Sequence, residues 1–344
     1  MYNSVSIEPP FQPFSSSWVA IHPYPKGVIQ FIGGAFFGSF PTVSYQYFLK
    51  QLFQVGYTII ALPFRFTFNH WSVALDLLEE HYAVRLGIIE KLAELTEELS
   101  ETPDSSSDRA YDYRPYLAAS NYCWIGHSLG CKYIALLELL NDGSEQVLQD
   151  MATIADAKTE TQMIQYRLQQ MAQRLDQRLK QLPACAKLSI EAMPIGITDQ
   201  ASLLLAPVIQ DLNAAIPLPL LQRTFQTVGL QVLPTVEQTY QLIDRSQSFN
   251  LTRLITFDED KLAIETRDRL LHKQPNALFQ TLEGKHLEPV GMQIGNAVVD
   301  FNPLDKWSEP IADRTLEAVT ISALEELQQI QAQITNPIVL PVEC

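Results

Sequence analysis

Tyr122-Cys123-Trp124-Ile125-Gly126-His127-Ser128-Leu129-Gly130 is the stretch from which the rest of the chain can be read. Tyr122–Ile125 is a short apolar run suited to a buried strand, and Leu129–Leu140 follows with a helical pattern. At their junction stands G-x-S-x-G. In that context the serine occupies a sharp strand-to-helix turn with strained backbone angles. The glycines two residues to either side let strand and helix approach closely. The helix N-terminus also aims backbone N–H groups at any negative charge that develops on a reacting oxygen. Ser128 is therefore the candidate nucleophile, and Leu129 N–H a candidate oxyanion donor. The plainer reading of the same residues is an ordinary strand-to-helix turn with a helix-capping serine.

Working outward, short β-branched and apolar runs alternate with helical patterns, which points to a mostly parallel sheet covered by helices. The expected strands are Trp18–Ile21, Gly27–Ile32, Thr58–Pro63, Tyr122–Ile125, Ser202–Ala206, Arg253–Phe257 and Ala277–Leu282. Tyr45, Phe48, Leu49, Leu52 and Phe53 fall at helical spacing before Gly56, and a second helical stretch runs from about Ser72 to Leu99. Ser, Asp and Pro crowd Glu101–Pro115, which reads as a loop. Ser144–Leu182 is polar, with Ile164, Leu168, Met171, Leu175, Leu179 and Leu182 on one face. It reads as one or two amphipathic helices that pack on the core or bind a protein partner. The expected organisation is a core over 1–143 and 199–300, a helical insertion over 144–198 and a small cap over 213–250. A C-terminal covering helix and tail take 301–344.

A serine hydroxyl is a weak nucleophile and needs a base. Six histidines are available: His22, His70, His81, His127, His272 and His286. His127 adjoins the serine, so its side chain should point elsewhere. The base is expected after the last strand, in the chain order serine, acid, histidine. His286 fits, just past Ala277–Leu282. His272 is the alternative, at a helix end where a cationic histidine is favourable in any case. The acid is expected one strand earlier, where Asp258-Glu259-Asp260 follows Phe257. Asp260 suits a position on the loop, and Asp258 is the reserve. Either could instead cap the helix that starts near Lys261.

A second oxyanion donor should come from an early loop. Gly33-Gly34-Ala35-Phe36-Phe37-Gly38 follows the strand Gly27–Ile32. The N–H of Ala35, or of Phe36, could pair with that of Leu129. The same loop carries a rival reading, because Gly33-x-Ala35-x-x-Gly38 is one substitution from a dinucleotide fingerprint. That fingerprint wants an acid at the next strand end, and Ala61–Phe66 has none. Ser39 stands where a phosphate-binding loop would place lysine. No HxH or HExxH pair marks a metal site. No cofactor and no metal are expected.

The chain has 344 residues, with 24 basic against 39 acidic side chains and a net charge of −15. That balance repels phosphate backbones, so nucleic acid is not an expected partner. Cys123, Cys131, Cys185 and Cys344 show no CxxC spacing and read as inert thiols of a reducing compartment. No run approaches the roughly 18 apolar residues of a membrane span. The first basic residue is Lys26, and neither a secretory nor an Arg-rich transit segment is visible. A cytoplasmic or plastid-like setting is the expectation.

Gly27–Gly38, Thr58–Arg65, Tyr122–Gly130, Ser202–Asp211 and Leu282–Pro289 together resemble an α/β-hydrolase-like domain family of unknown function, found in cyanobacteria and plant chloroplasts. The resemblance extends over about residues 16 to 300, and the elbow around Ser128 is its most specific part. It implies the α/β-hydrolase fold, a hydrolase activity by analogy, and a cyanobacterial or plastid setting. It supplies no substrate. The chain departs from many hydrolases in carrying Gly33-Gly34 where they have His-Gly.

The functional expectation is a serine hydrolase acting on an acyl ester or thioester, of esterase, lipase or thioesterase type. Ser128 would attack, His286 would move the proton and Asp260 would orient His286. Leu218, Leu220, Leu221 and Phe225 suggest a greasy acyl group, hence a small-molecule or lipid substrate and peripheral contact with membrane lipid. The alternatives are a non-catalytic binding or assembly protein on the same fold, and a dinucleotide-dependent oxidoreductase.

Overall fold

The computed structural model describes residues 8–65, 67–100, 112–142, 144–154, 158–187, 193–209, 232–246, 249, 251–273, 278–294, 297–299 and 314–335. Its centre is an eight-stranded sheet. The strands are β1 (Gln12–Phe14), β2 (Ser17–Ala20), β3 (Gly27–Ile32), β4 (Tyr57–Ala61), β5 (Tyr122–His127), β6 (Ala201–Leu205), β7 (Thr252–Phe257) and β8 (Leu278–Leu282). Their order across the sheet is β1-β2-β4-β3-β5-β6-β7-β8. β1 and β2 run antiparallel to their neighbours, and every pairing from β4 to β8 is parallel. A separate hairpin pairs β9 (Met292–Ile294) with β10 (Ala297–Val299).

The longer helices are α1 (Gln46–Gln54), α2 (His70–Ser100), α3 (Leu129–Leu139), α4 (Ser144–Ile154), α5 (Lys158–Leu179), α6 (Val236–Arg245), α7 (Ile264–Lys273) and α8 (Leu316–Thr335). None of the helices among the described residues is long and apolar enough to cross a membrane.

Helices cover both faces of the sheet, so its inner strands are buried throughout. Alternate residues enter two cores. Val28 and Ile32 of β3, Tyr122 and Trp124 of β5, and Leu254 of β7 meet α2 to α6 on one face. Ile29, Phe31, Cys123, Ile125 and Ile255 meet α1 and α8 on the other. The mostly parallel sheet, its strand order and its helical layers are those of the α/β-hydrolase fold.

All seven expected strands are present, with ends shifted by a residue or two. β1 and the β9–β10 hairpin were not expected. They are three-residue strands, too short to carry a periodic signal. The segment 144–198 holds α4 and α5. Ile164, Met171 and Leu175 of α5 are buried in the core shared with α2, so the apolar face read from the sequence is already covered. Arg167 flanks the contact with ion pairs to Asp76 and Glu79 of α2. Such exposed pairs add little stability. Of the segment 213–250 read as a cap, residues 213–231, 247, 248 and 250 lie outside the described residues, and with them Leu218, Leu220, Leu221 and Phe225. Its later part forms α6, with a capping box in which Thr235 Oγ1 accepts from Gln238 N.

Candidate active site

Parallel strands bring their carboxyl ends to one edge of the sheet, and the loops that leave that edge form the usual ligand crevice. Four of those loops meet here, after β3, β5, β7 and β8.

β5 delivers Ser128. Its backbone stands at φ 54°, ψ −117°, a conformation that side-chain-bearing residues rarely adopt. The turn is locked from three sides. Ser128 N donates to Leu205 O at the end of β6 (3.0 Å), and Ser128 O accepts from Cys131 N and Val208 N. The flanking glycines are sterically required. A Cβ on Gly126 would lie 2.9 Å from Cys131 N, and one on Gly130 would lie 2.3 Å from Ile32 O. Leu129 is the first residue of α3, so its N–H has no partner within the helix.

β8 ends at Leu282, and the chain then turns through Gly284 at φ 136°, which favours glycine. His286 follows. Its Nδ1 lies 2.9 Å from Asp260 Oδ2, and its Nε2 lies 2.8 Å from Ser128 Oγ. A carboxylate only accepts, so Nδ1 carries the proton and donates. Nε2 is then the acceptor, and the Ser128 hydroxyl donates to it. Ser128 is 7% exposed. The side chains of His286 and Asp260 are 16% and 0% exposed, so the chain of bonds runs through a nearly dry region, where each is strengthened.

Asp260 also uses its other oxygen. Oδ1 accepts from Leu262 N at 2.9 Å and Ala263 N at 3.3 Å. The capping role weighed from the sequence and the contact with His286 therefore coexist on one carboxylate. Burial pushes its pKa up, but the hydrogen bond from His286, the positive polarity of that ring's N–H edge and the two amides outweigh it, leaving Asp260 below the ordinary carboxylate value.

The other candidates fall in different places. Asp258 Oδ1 accepts from Gly284 N at 2.9 Å, so it braces the turn that leads to His286 and does not reach the ring. His272 is exposed in the last turn of α7 and is not brought to the site, which corrects its candidacy as a base. A helix C-terminus is favourable for a cationic histidine without further purpose.

The loop after β3 lies directly against the elbow. A Cβ on Gly34 would stand 3.1 Å from Ser128 Cβ. Ala35, the expected second donor, is the next residue. Phe36, its alternative, is 53% exposed and adopts φ 64°. Gly33 and Gly38 fold the loop onto itself, since a Cβ on Gly33 would lie 2.8 Å from Gly38 Cα. One on Gly38 would lie 2.4 Å from the Phe64 ring. Packing thus accounts for the glycine spacing that resembles a dinucleotide fingerprint.

Residues 10–148 match the profile of a family described as "Protein of unknown function (DUF1350)". The match takes in β1 to β5, the elbow and α3, and ends before Asp260 and His286. No curated protein matches the sequence. Among solved structures, the chain is similar to esterase B from Lactobacillus rhamnosis, at 12% identity, TM-score 0.47, and coverage of 94% of this chain and 85% of that one. It is also similar to the thermophilic esterase Est2 of the planctomycete Thermogutta terrifontis, at 13% identity, TM-score 0.42, and coverage of 95% and 91%. A thioesterase domain from the curacin biosynthetic pathway is similar at 12% identity, TM-score 0.34, and coverage of 80% and 92%.

Two further side chains belong to the site, and sequence reasoning gave them no role. Tyr45 had been read only as part of an apolar helical face. His127 was expected only to point away from Ser128. It does so, into the protein, where Tyr45 Oη lies 2.8 Å from its Nδ1. Among the described residues, no group of three or more His, Cys, Asp or Glu side chains is placed to hold a metal ion. A cavity of about 290 Å³ lies away from Ser128, between α2 and α5, lined by Tyr82, Leu86, Met171, Leu175 and the Arg174 and Arg178 stems.

Proposed function

We propose that the protein is a serine hydrolase that cleaves acyl esters or thioesters. The observation that carries this reading is the continuous contact from Ser128 Oγ through His286 to Asp260, at 2.8 Å and 2.9 Å. A hydroxyl, an imidazole and a carboxylate in that sequence can generate a nucleophile near neutral pH.

In the reaction, Ser128 Oγ attacks the acyl carbonyl while His286 Nε2 takes its proton. The carbonyl π electrons move to oxygen, and the N–H groups of Leu129 and Ala35 receive that oxyanion. The intermediate collapses, the carbon–leaving-group bond breaks, and His286 returns the proton to the departing alcohol or thiol. Water then attacks the acyl-serine, again giving a proton to His286. The bond from the carbonyl carbon to Ser128 Oγ then breaks, His286 returns the proton to Oγ, and the acid departs. Asp260 holds the required tautomer of His286 and stabilises the transient imidazolium.

Phe36, Phe40 and Val43, beside the Gly33–Gly38 loop, are 53%, 70% and 56% exposed. Solvent-facing apolar side chains in and just after the loop whose Gly34 adjoins Ser128 support an apolar acyl substrate, supplied as a small molecule or from a lipid surface. The cyanobacterial or plastid setting rests on the sequence resemblance alone.

A fluorophosphonate probe tests the reading. Wild type should be labelled and should hydrolyse p-nitrophenyl butyrate, whereas Ser128→Ala should do neither. A folded wild type inert to both the probe and a panel of acyl esters and thioesters would overturn it.

A further inference from the structure

His127 takes no part in the steps above, yet both of its ring nitrogens are engaged. The ring is fully buried behind Ser128. Nε2 lies 2.8 Å from the backbone carbonyl of His286. A carbonyl only accepts, so Nε2 bears the proton and donates. In a neutral ring Nδ1 must then accept, and the Tyr45 hydroxyl at 2.8 Å donates to it. The same Tyr45 oxygen accepts from Gly34 N–H at 2.7 Å. Each bond fixes the direction of the next. The order runs from Gly34 N–H to Tyr45, from Tyr45 O–H to His127, and from His127 Nε2–H to the His286 carbonyl.

The two ends of this chain are the two loops that flank the nucleophile. Gly34 precedes Ala35, and His286 is the base itself. Tyr45 and His286 face the His127 ring, and Asp260 and Arg314 act on it through their charge. Burial and the neighbouring His286 push its pKa down to about 3, so the ring stays neutral. Burial raises the pKa of Tyr45 and keeps it a donor. A protonated His127 would present an N–H to Tyr45 and break the order, because the tyrosine hydroxyl could no longer donate to it. Buried bonds of this kind are costly to leave half-made.

We infer that His127 and Tyr45 are positioning residues, forming one hydrogen-bonded strut that sets the spacing between the Gly33–Gly38 loop and the His286 loop across Ser128. The strut ties the oxyanion donor and the base to a common reference. Its effect on turnover rests on the hydrolase reading, but its proton order does not.

Three variants and one spectrum test it. Tyr45→Phe removes the hydroxyl and keeps the ring that packs on Phe31, 4.6 Å away. His127→Phe removes both ring partners. His127→Gln keeps an amide donor near the position of Nε2. In folded protein, both Phe variants should lose about 10- to 100-fold in kcat for p-nitrophenyl butyrate, with KM little changed, as expected for reacting groups displaced by a fraction of an ångström. His127→Gln should recover most of the loss. Unchanged kcat in the Phe variants, or a Gln variant no better than Phe, would overturn the strut.

In wild type, ¹⁵N shifts should report a neutral His127 with its proton on Nε2 from about pH 5 to 8. The low-field Nδ1–H resonance of His286 should move in Tyr45→Phe. A proton on Nδ1 of His127, titration of the ring in that range, or an unmoved His286 resonance would refute the inference whether or not the protein hydrolyses esters. Failure of the hydrolase reading registers separately, as a wild type inert to the fluorophosphonate.

Discussion

The carboxylate of Asp260 approaches His286 Nδ1 to 2.9 Å with one oxygen while its other oxygen holds the amides of Leu262 and Ala263. The backbone bonds orient the carboxylate independently of the histidine. Asp260→Asn would still fill the space, but its amide can turn an N–H toward Nδ1 and favour the wrong tautomer. A fall in kcat of about 10³-fold or more is expected, with KM nearly constant. Asp258→Ala loosens the turn before His286 but leaves the carboxylate–imidazole bond, so its loss should be far smaller, and His272→Ala should leave kcat at the wild-type level. Steady-state kinetics on the three variants checks this, and an active Asp260→Asn would reject the assignment.

Three buried histidines make stability fall in mild acid. His70 and His127 have pKa values lowered from 6.5 to about 3, and that of His81 is lowered well below 6.5, all chiefly by burial. Between about pH 3 and 6.5 the unfolded chain therefore binds more protons than the native one. Stability is full above that window and declines as pH drops through it, by about 1.4 kcal/mol per pH unit for each histidine. Urea midpoints measured from pH 7 to 5 should fall steeply, and His70→Phe should flatten the slope. A flat profile would contradict the burial of these rings.

The turn at Ser128 stores strain that glycine would relieve. Alanine at this position keeps the φ of 54° and its cost, whereas glycine adopts such angles freely. Offsetting the greater freedom of unfolded glycine, Ser128→Gly should exceed Ser128→Ala in stability by about 1 kcal/mol. Denaturant unfolding of the two variants measures the difference. Equal stability, or an alanine variant that is the more stable, would mean the turn is unstrained.

Gly130 tolerates no side chain. Its added Cβ would meet the carbonyls of Ile32 and Gly33 at 2.3 Å and 2.7 Å, and backbone cannot swing aside. Gly130→Ala should cost about 3 kcal/mol or more. Gly56→Ala provides the contrast, because its nearest neighbour is the flexible Lys26 stem at 3.5 Å. Its cost should be confined to the backbone strain of φ 106°, about 1 kcal/mol. Comparable melting temperatures for the two variants would refute the steric argument.

Much of this architecture was legible because each inner strand is a contiguous buried run and a helix such as α1 stops at a recognisable signal, Gly56. Tyr122–Gly130 announced both a strand–helix junction and its serine. The position of His286, and of the acidic turn Asp258-Glu259-Asp260 one strand earlier, followed from chain order and strand ends alone. The choice between Asp258 and Asp260 was not legible in the same way. Both sit on one turn, and only the path of the chain through Gly284 gives one the ring and the other an amide. Tyr45 was hidden for a related reason. A tyrosine on an apolar helical face counts as a hydrophobe, and its hydroxyl acquires meaning only from the partners that folding supplies.

The short strand β1 has a consequence at the far rim of the sheet. Open β-sheet edges invite other molecules to dock by main-chain pairing, and natural sheets blunt them with brevity or proline. β1 has both, being three residues long with Pro13 at its middle. It occupies the free side of β2, where the backbone of Trp18 and Val19 would otherwise stand open. Deleting residues 1–15 should therefore leave the rest of the sheet paired yet self-adhesive, turning its selvedge into a seam on which copies of the chain can grow.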